Sequence, residues 1–289
     1  MINEAYTVKN YLKKSSLPNQ KCNLSLFLST NSLLFIVFTD DDKSISELAD
    51  IEFNTSTNLS LTLIERLEFL FSNYQLIKNY NKVYISILNS HFTLIPNAYK
   101  NQNNTSDILK FGTGLTTALT VIEHSITNLT FCYALEQELK QLLEKTFPIA
   151  FIRHSGAVIL NLFNTLPALI NFDLFLNINY KIIEIAVKQK NDLQFYNVFN
   201  YQTTEDIIYY LLFTLEQLNL NPLTVKVVVA GQIETEGNLI SSIKKYIKFV
   251  NFFSNTTSVF TSANAHQSEL DKLPPHYYFS VLNQHLCEL

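Results

Sequence analysis

The alternation of apolar and polar positions divides the chain into two series of elements that follow the same order. In the first, Leu24, Leu26 and Leu28 alternate with smaller residues, Thr30-Asn31-Ser32 forms a turn, and Leu33-Leu34-Phe35-Ile36-Val37-Phe38 makes a β-rich run. That pattern predicts a hairpin. Asp40-Asp41-Asp42-Lys43 supplies the next turn, and the segment running to Phe53 a third antiparallel strand. The period then lengthens. Ile64, Leu67, Leu70, Phe71, Tyr74 and Ile77 fall on one stripe, with Thr62-x-x-Glu65 at its start, which predicts a helix opened by a capping box. Residues 83–88 read as a short buried strand.

The second series repeats this order. Leu174-Phe175-Leu176-Asn177-Ile178 has the pattern of Leu26-Phe27-Leu28-Ser29-Thr30, and residues 181–188 and 193–201 complete a second meander. Ile207, Ile208, Leu211, Leu212, Leu215 and Leu218 give the helical stripe, Thr203-x-x-Asp206 its cap, and residues 225–230 the buried strand. Leu26 and Leu174 lie 148 positions apart, Val83 and Val225 142. A near-constant spacing predicts a duplicated β-β-β-α-β unit. Each copy continues: a strand at 129–134, a helix at 135–147 and apolar structure at 149–160 in the first; a helix at 234–250, a strand at 249–253 and a closing helix starting near Pro274-Pro275 in the second. The expected organisation is a polar N-terminal arm over residues 1–21, a first subdomain over 22–170 and a second over 171–289.

Composition narrows the chemistry. With 47% hydrophobic and 16% charged residues the chain folds as a globule. Its net charge of −4 leaves no excess of cations for phosphates, so no duplex nucleic acid is expected as a partner. The polar start lacks the apolar core of a signal peptide, and no run reaches the roughly 18 apolar residues of a spanning helix. Three scattered cysteines, Cys22, Cys132 and Cys287, form no disulfide framework, and a reducing cytoplasm is the expected location. Only 5 of the 289 residues are glycine, against a usual share of about 7%. Loops that cradle phosphate depend on glycine for positive φ and close backbone approach. Gly112, Gly114, Gly156, Gly231 and Gly237 build neither G-x-G-x-x-G nor G-x-x-x-x-G-K-[ST].

Two copies of a three-strand meander followed by helix-strand units give the outline of an α/β protein with the actin-like ATPase fold, made of two duplicated ribonuclease-H-like subdomains. In detail the chain resembles an uncharacterised bacterial family, domain of unknown function 3822. The resemblance is carried by the hairpin of residues 24–38, Val83-Tyr84-Ile85-Ser86-Ile87-Leu88 with Phe92-Thr93-Leu94-Ile95-Pro96, the meander of 174–187, Val227-Val228-Val229-Ala230-Gly231 and His276-Tyr277-Tyr278-Phe279. It implies a two-domain fold of this kind over nearly the whole chain. In active relatives of that superfamily each first hairpin carries an Asp-x-Gly turn that organises metal and phosphate, and paired glycines after a late strand face the adenosine. Here the turns are Ser29-Thr30-Asn31-Ser32 and Asn177-Ile178-Asn179-Tyr180, and the late strand ends in Ala230-Gly231-Gln232. Ser29, Thr30, Asn31, Ser32, Asn177, Asn179 and Gly231 are therefore the expected remnant of a nucleotide cleft. Without a carboxylate little holds Mg²⁺.

Other constellations carry less. Asp40-Asp41-Asp42 lacks the ligand spacing of a calcium loop and reads as a solvated turn. Gly112-Thr113-Gly114 is the only paired-glycine segment and reads as a loop. Arg153 and His154 form a polar pair in apolar surroundings, and His154, titratable near neutrality, is the candidate ligand contact. The histidines and cysteines show no zinc spacing. The resulting expectation is a non-catalytic, degenerate actin-like scaffold with a protein partner, no cofactor and no catalytic residue; the alternative is a nucleotide-binding switch or ATPase with atypical phosphate loops.

Overall fold

The computed structural model describes residues 5–13, 21–40, 44–54, 61–100, 105–114, 119–165, 172–190, 192–254 and 274–287. The chain divides into two compact units, Met1–Asn161 and Leu162–Leu289. Unit 1 holds β1 (Tyr6–Lys13), β2 (Cys22–Ser29), β3 (Ser32–Thr39), β4 (Ile45–Phe53), α1 (Leu63–Asn73), β5 (Val83–Leu88), β6 (Phe92–Pro96), α2 (Thr105–Thr113), β7 (Leu119–Ile126), β8 (Leu129–Glu136), α3 (Gln137–Thr146) and β9 (Ala150–His154). The unit boundary falls inside α4 (Ser155–Thr165). Unit 2 continues with β10 (Leu174–Asn179), β11 (Ile182–Gln189), β12 (Asp192–Asn200), α5 (Thr204–Gln217), β13 (Lys226–Gly231), α6 (Asn238–Ile243), β14 (Phe249–Phe252) and α7 (Phe279–Leu282).

The main sheet of unit 1 has the order β1-β4-β3-β2-β5-β9, that of unit 2 the order β12-β11-β10-β13-β14. Without β1 the two orders coincide. Each begins with an antiparallel meander and ends with two parallel strands. The apolar runs of β2, β3, β5 and β10 are buried along their whole length, as strands covered on both faces must be. Pairing fixes the correspondence between copies. The hairpins set Leu24 opposite Val37 and Leu174 opposite Val187, and on their other sides lie Val83 and Val227, so the equivalent positions lie 150 and 144 residues apart, two more than the sequence pattern predicts. Because strand side chains alternate with a period of two, that even shift leaves every residue on its predicted face.

Local signals are honoured where they are local. Both capping boxes form: Thr62 with Glu65 on α1, and Thr203 with Asp206 on α5. Gly112 and Thr113 close α2, and Gly114, at φ +67°, donates its N–H to the Lys110 carbonyl at 2.9 Å, a left-handed C-terminal cap. Apart from Gly231, the other positive-φ positions among the described residues are filled by side-chain-bearing residues: Gln75, Thr127, Lys181, Lys190 and Asn219, all exposed.

Three features depart from the sequence pattern. Residues 6–13, within the stretch read as a polar arm, form β1 on the edge of β4, tied by Lys9 to Glu52 at 2.8 Å and by Tyr11 and Lys13 to the buried Glu47. Between β5 and α3 a second sheet, ordered β6-β8-β7, carries α2, whose Leu109 packs with Ile95, Cys132 and Ala134. Its strand β7 is mostly half-exposed, so it lacks the apolar run that marks the others. The helix expected over 234–250 is only six residues long, because the chain must turn at 244–248 for Phe249 to pair beside Lys226.

Candidate functional site

In open α/β sheets ligands collect at the carboxyl ends of the parallel strands, so each sheet has one edge to inspect. In unit 1 that edge is formed by Ser29 beside Leu88 and by Ile87 beside His154. The β2–β3 turn is closed on itself. The Ser29 and Ser32 hydroxyls, both buried, lie 2.9 Å apart, and the Asn31 N–H donates to Ser29 Oγ at 3.1 Å. The Asn31 carbonyl accepts from Phe53 N–H at 2.7 Å. Thr30 alone is exposed. No residue of this turn is left-handed among the described residues, which is why it is made without glycine.

His154 is fully buried at the junction of β9 and α4. Its Nδ1 accepts the Gly156 N–H at 3.0 Å, so Nε2 carries the proton and donates to the Asn89 carbonyl at 2.9 Å. The imidazole thus caps α4, satisfying one of the N–H groups that every helix start leaves open. Phe131, Phe92 and Tyr133 surround it, with centroids at 4.8, 5.1 and 5.5 Å. Burial in this ring cage pushes its pKa down to about 3. Asn89 continues the link: its amide donates to the Ala134 carbonyl, and its Oδ1 accepts from His91 N–H. His154 therefore holds the ends of β5 and β9 to the inserted sheet. The half-buried Arg153 pairs with Ser86 across the strands. After burial, its charge is the next cause that lowers the pKa of His124.

In unit 2 the matching edge carries Asn179, Gly231 and the end of β14. Gly231 has φ +96°, and a Cβ there would collide with the Ile178 carbonyl. Its N–H donates to the His276 carbonyl at 2.7 Å, and Gln232 N–H donates to the Ile178 carbonyl at the same distance. Gln232 Oε1 accepts from Tyr180 N–H, bracing the β10–β11 turn. His276 in turn donates from Nε2 to the Ile233 carbonyl at 3.1 Å. Behind the edge lies a buried polar row. Asn177 Nδ2 donates to Glu184 Oε2 at 2.7 Å and lies 3.4 Å from Ser280 Oγ, while Tyr196 OH donates to Glu184 Oε1 at 2.7 Å. Burial, then the neighbouring Glu184 charge, raises the Tyr196 pKa well above its usual value. Asn177 Oδ1 and Asn179 Nδ2 make no hydrogen bond among the described residues.

The nine sequence-predicted residues thus fall into two sets. Ser29, Thr30, Asn31, Ser32, Arg153 and His154 belong to the edge of unit 1, Asn177, Asn179 and Gly231 to that of unit 2. Sequence reasoning overlooked Glu184, Tyr196 and Ser280. Glu184 had a legible signal, a lone acid inside Ile182-Ile183-Glu184-Ile185-Ala186-Val187; its partners come from other elements. Neither hairpin turn holds a carboxylate, and no cluster of three metal-capable side chains occurs among the described residues.

Two sheets of this order and their helices define the actin-like ATPase fold, and solved structures agree. A Bacteroides thetaiotaomicron protein with actin-like ATPase fold and unknown function is similar at a TM-score of 0.70 and 20% identity, covering 82% of this chain and 94% of its own. A chain of the PilM–PilN type IV pilus biogenesis complex is similar at a TM-score of 0.61 and 11% identity, covering 91% and 96%. No curated protein matches in sequence. Within that fold the chain belongs to the family described as protein of unknown function DUF3822, whose model matches residues 13–250.

Proposed function

We propose that this protein is a non-catalytic member of the actin-like fold that serves as a scaffold for a protein partner. One observation carries the reading: apart from Asn177 Oδ1 and Asn179 Nδ2, the buried polar groups named at the strand ends are committed within the chain. Ser29 and Ser32 satisfy each other, the Gly231 N–H meets His276, and His154 uses both ring nitrogens. Phosphate recognition needs free N–H donors and an accessible left-handed glycine, and Mg²⁺ needs hard oxygen ligands. The likeness to a chain from a two-protein complex supports a partner of the same kind.

The test is a thermal-shift titration with ATP, GTP and their diphosphates, with and without Mg²⁺. Binding at 100 times the dissociation constant adds about 2.7 kcal/mol, several degrees in melting temperature. The scaffold reading expects no shift at saturating nucleotide. A saturable, Mg²⁺-dependent rise overturns it in favour of a nucleotide switch, with Ser29, Asn31 and Gly231 the first residues to mutate.

A further inference from the structure

Two patches of unit 2 expose aromatic rings among charges of opposite sign. On α5, Glu205, Tyr209, Phe213 and Glu216 follow one another along a single outward stripe, as residues three and four apart do on a helix. Tyr209 is 60% and Phe213 44% exposed, and their rings stack at 5.8 Å. The stack is anchored inward, since Tyr209 meets Tyr210 at 5.5 Å and Tyr210 stacks on Phe199 at 4.5 Å. Little ordering is left for a partner to impose. The helix has no basic residue.

The second patch follows α6. Lys244, Lys245, Tyr246, Lys248 and Phe249 are all exposed, and Leu223 joins them. Lys248 Nζ stands 5.1 Å over the Phe249 ring. Among the described residues, neither the two glutamates nor the three lysines form an ion pair. Each patch repels a copy of itself, because it would bring like charges together, but the two complement each other. Lysines beside Tyr209 and Phe213 gain cation–π contact as well as the charge of Glu205 and Glu216.

We propose that a second copy of this chain covers the α5 stripe, seating its Lys244–Phe249 segment on Tyr209 and Phe213. This goes beyond the scaffold reading and is independent of nucleotide. The test is sedimentation velocity of the full chain over a concentration series at low and high salt, with two double variants: Glu205→Lys with Glu216→Lys, and Lys244→Glu with Lys248→Glu. The parent should associate with itself, less so at high salt because surface charges are screened. Each double variant alone should lose association by more than about tenfold, the scale of a lost central contact. An equimolar mixture of the two should associate like the parent, since opposite charges face again. All these positions are exposed, so matching melting temperatures establish that the variants are folded. A parent that stays monomeric throughout overturns the proposal and leaves the stripe to a different protein. Association that either variant leaves intact, or that mixing fails to restore, overturns it too.

Discussion

At the scale of single residues, His154 shows how far a sequence reading reaches. A polar residue in an apolar stretch was visible, and its burial follows from that context. The role as a cap of α4 was not, because Asn89 and the rings of Phe92, Phe131 and Tyr133 reach it from elements far apart in sequence. Its titration has a definite sign. The pKa is lowered from 6.5 to about 3, so between those values the unfolded chain binds the proton and the folded one does not. Stability from this group is complete above 6.5 and declines as pH falls toward about 3, by up to about 1.4 kcal/mol per pH unit. Imidazole resonances of His154 should therefore stay fixed while pH passes through 6.5; a midpoint there would refute the neutral cap. Gly231 makes a second case. The sequence marked it as a survivor of a glycine pair, and its φ of +96° with Ile178 pressed against it makes any side chain costly. Gly231→Ala should lower unfolding stability by about 3 kcal/mol or more, measured by urea denaturation.

At the scale of elements, what was legible was what is encoded locally. Both capping boxes sit within four residues, so Thr62-x-x-Glu65 and Thr203-x-x-Asp206 could be read directly. Of the inserted sheet only β8 could, expected at 129–134 and found at Leu129–Glu136; the rest could not, because half-exposed β7 shows no clear period and α2 buries only Thr105 and Leu109. The paired glycines of α2 looked like a loop for the same reason. They have opposite roles. Gly112 is helical with nothing within 4 Å of a Cβ, whereas Gly114 is left-handed at φ +67°. Gly112→Ala should raise stability by about 0.5–1 kcal/mol, and Gly114→Ala should lower it by about 1 kcal/mol. Equal effects from the two in urea melts would contradict the cap.

At the scale of the whole molecule, duplication was legible because periodicity survives where identity does not. The copies nevertheless treat their interiors differently. In unit 1 Phe27 faces Leu34 in the pairing that sets Asn177 opposite Glu184 in unit 2. The polar groups of that row sit at the two central strands in unit 2, whereas in unit 1 they flank an apolar centre, as Asp50 on β4, Ser86 on β5 and Arg153 on β9. The polar row is covered by the returning C-terminal segment, where Phe279 packs on Phe175 at 5.0 Å and Phe253 at 4.8 Å beside Ser280. Phe279→Ala should cost about 3–5 kcal/mol, with amide exchange quickening in β10 and β13; unchanged protection there would show that the segment does not close the sheet.

The five left-handed residues that carry side chains bear on how this protein can evolve. Each holds a conformation that costs about 1–2 kcal/mol outside glycine, less for an asparagine, and each lies on the surface, away from the packed sheets. Single replacements by glycine at Thr127 or Lys181 should relieve that cost while leaving the core untouched. Such steps would let the chain tolerate harmful substitutions elsewhere, so its scarcity of glycine leaves adaptive room in its tightest turns.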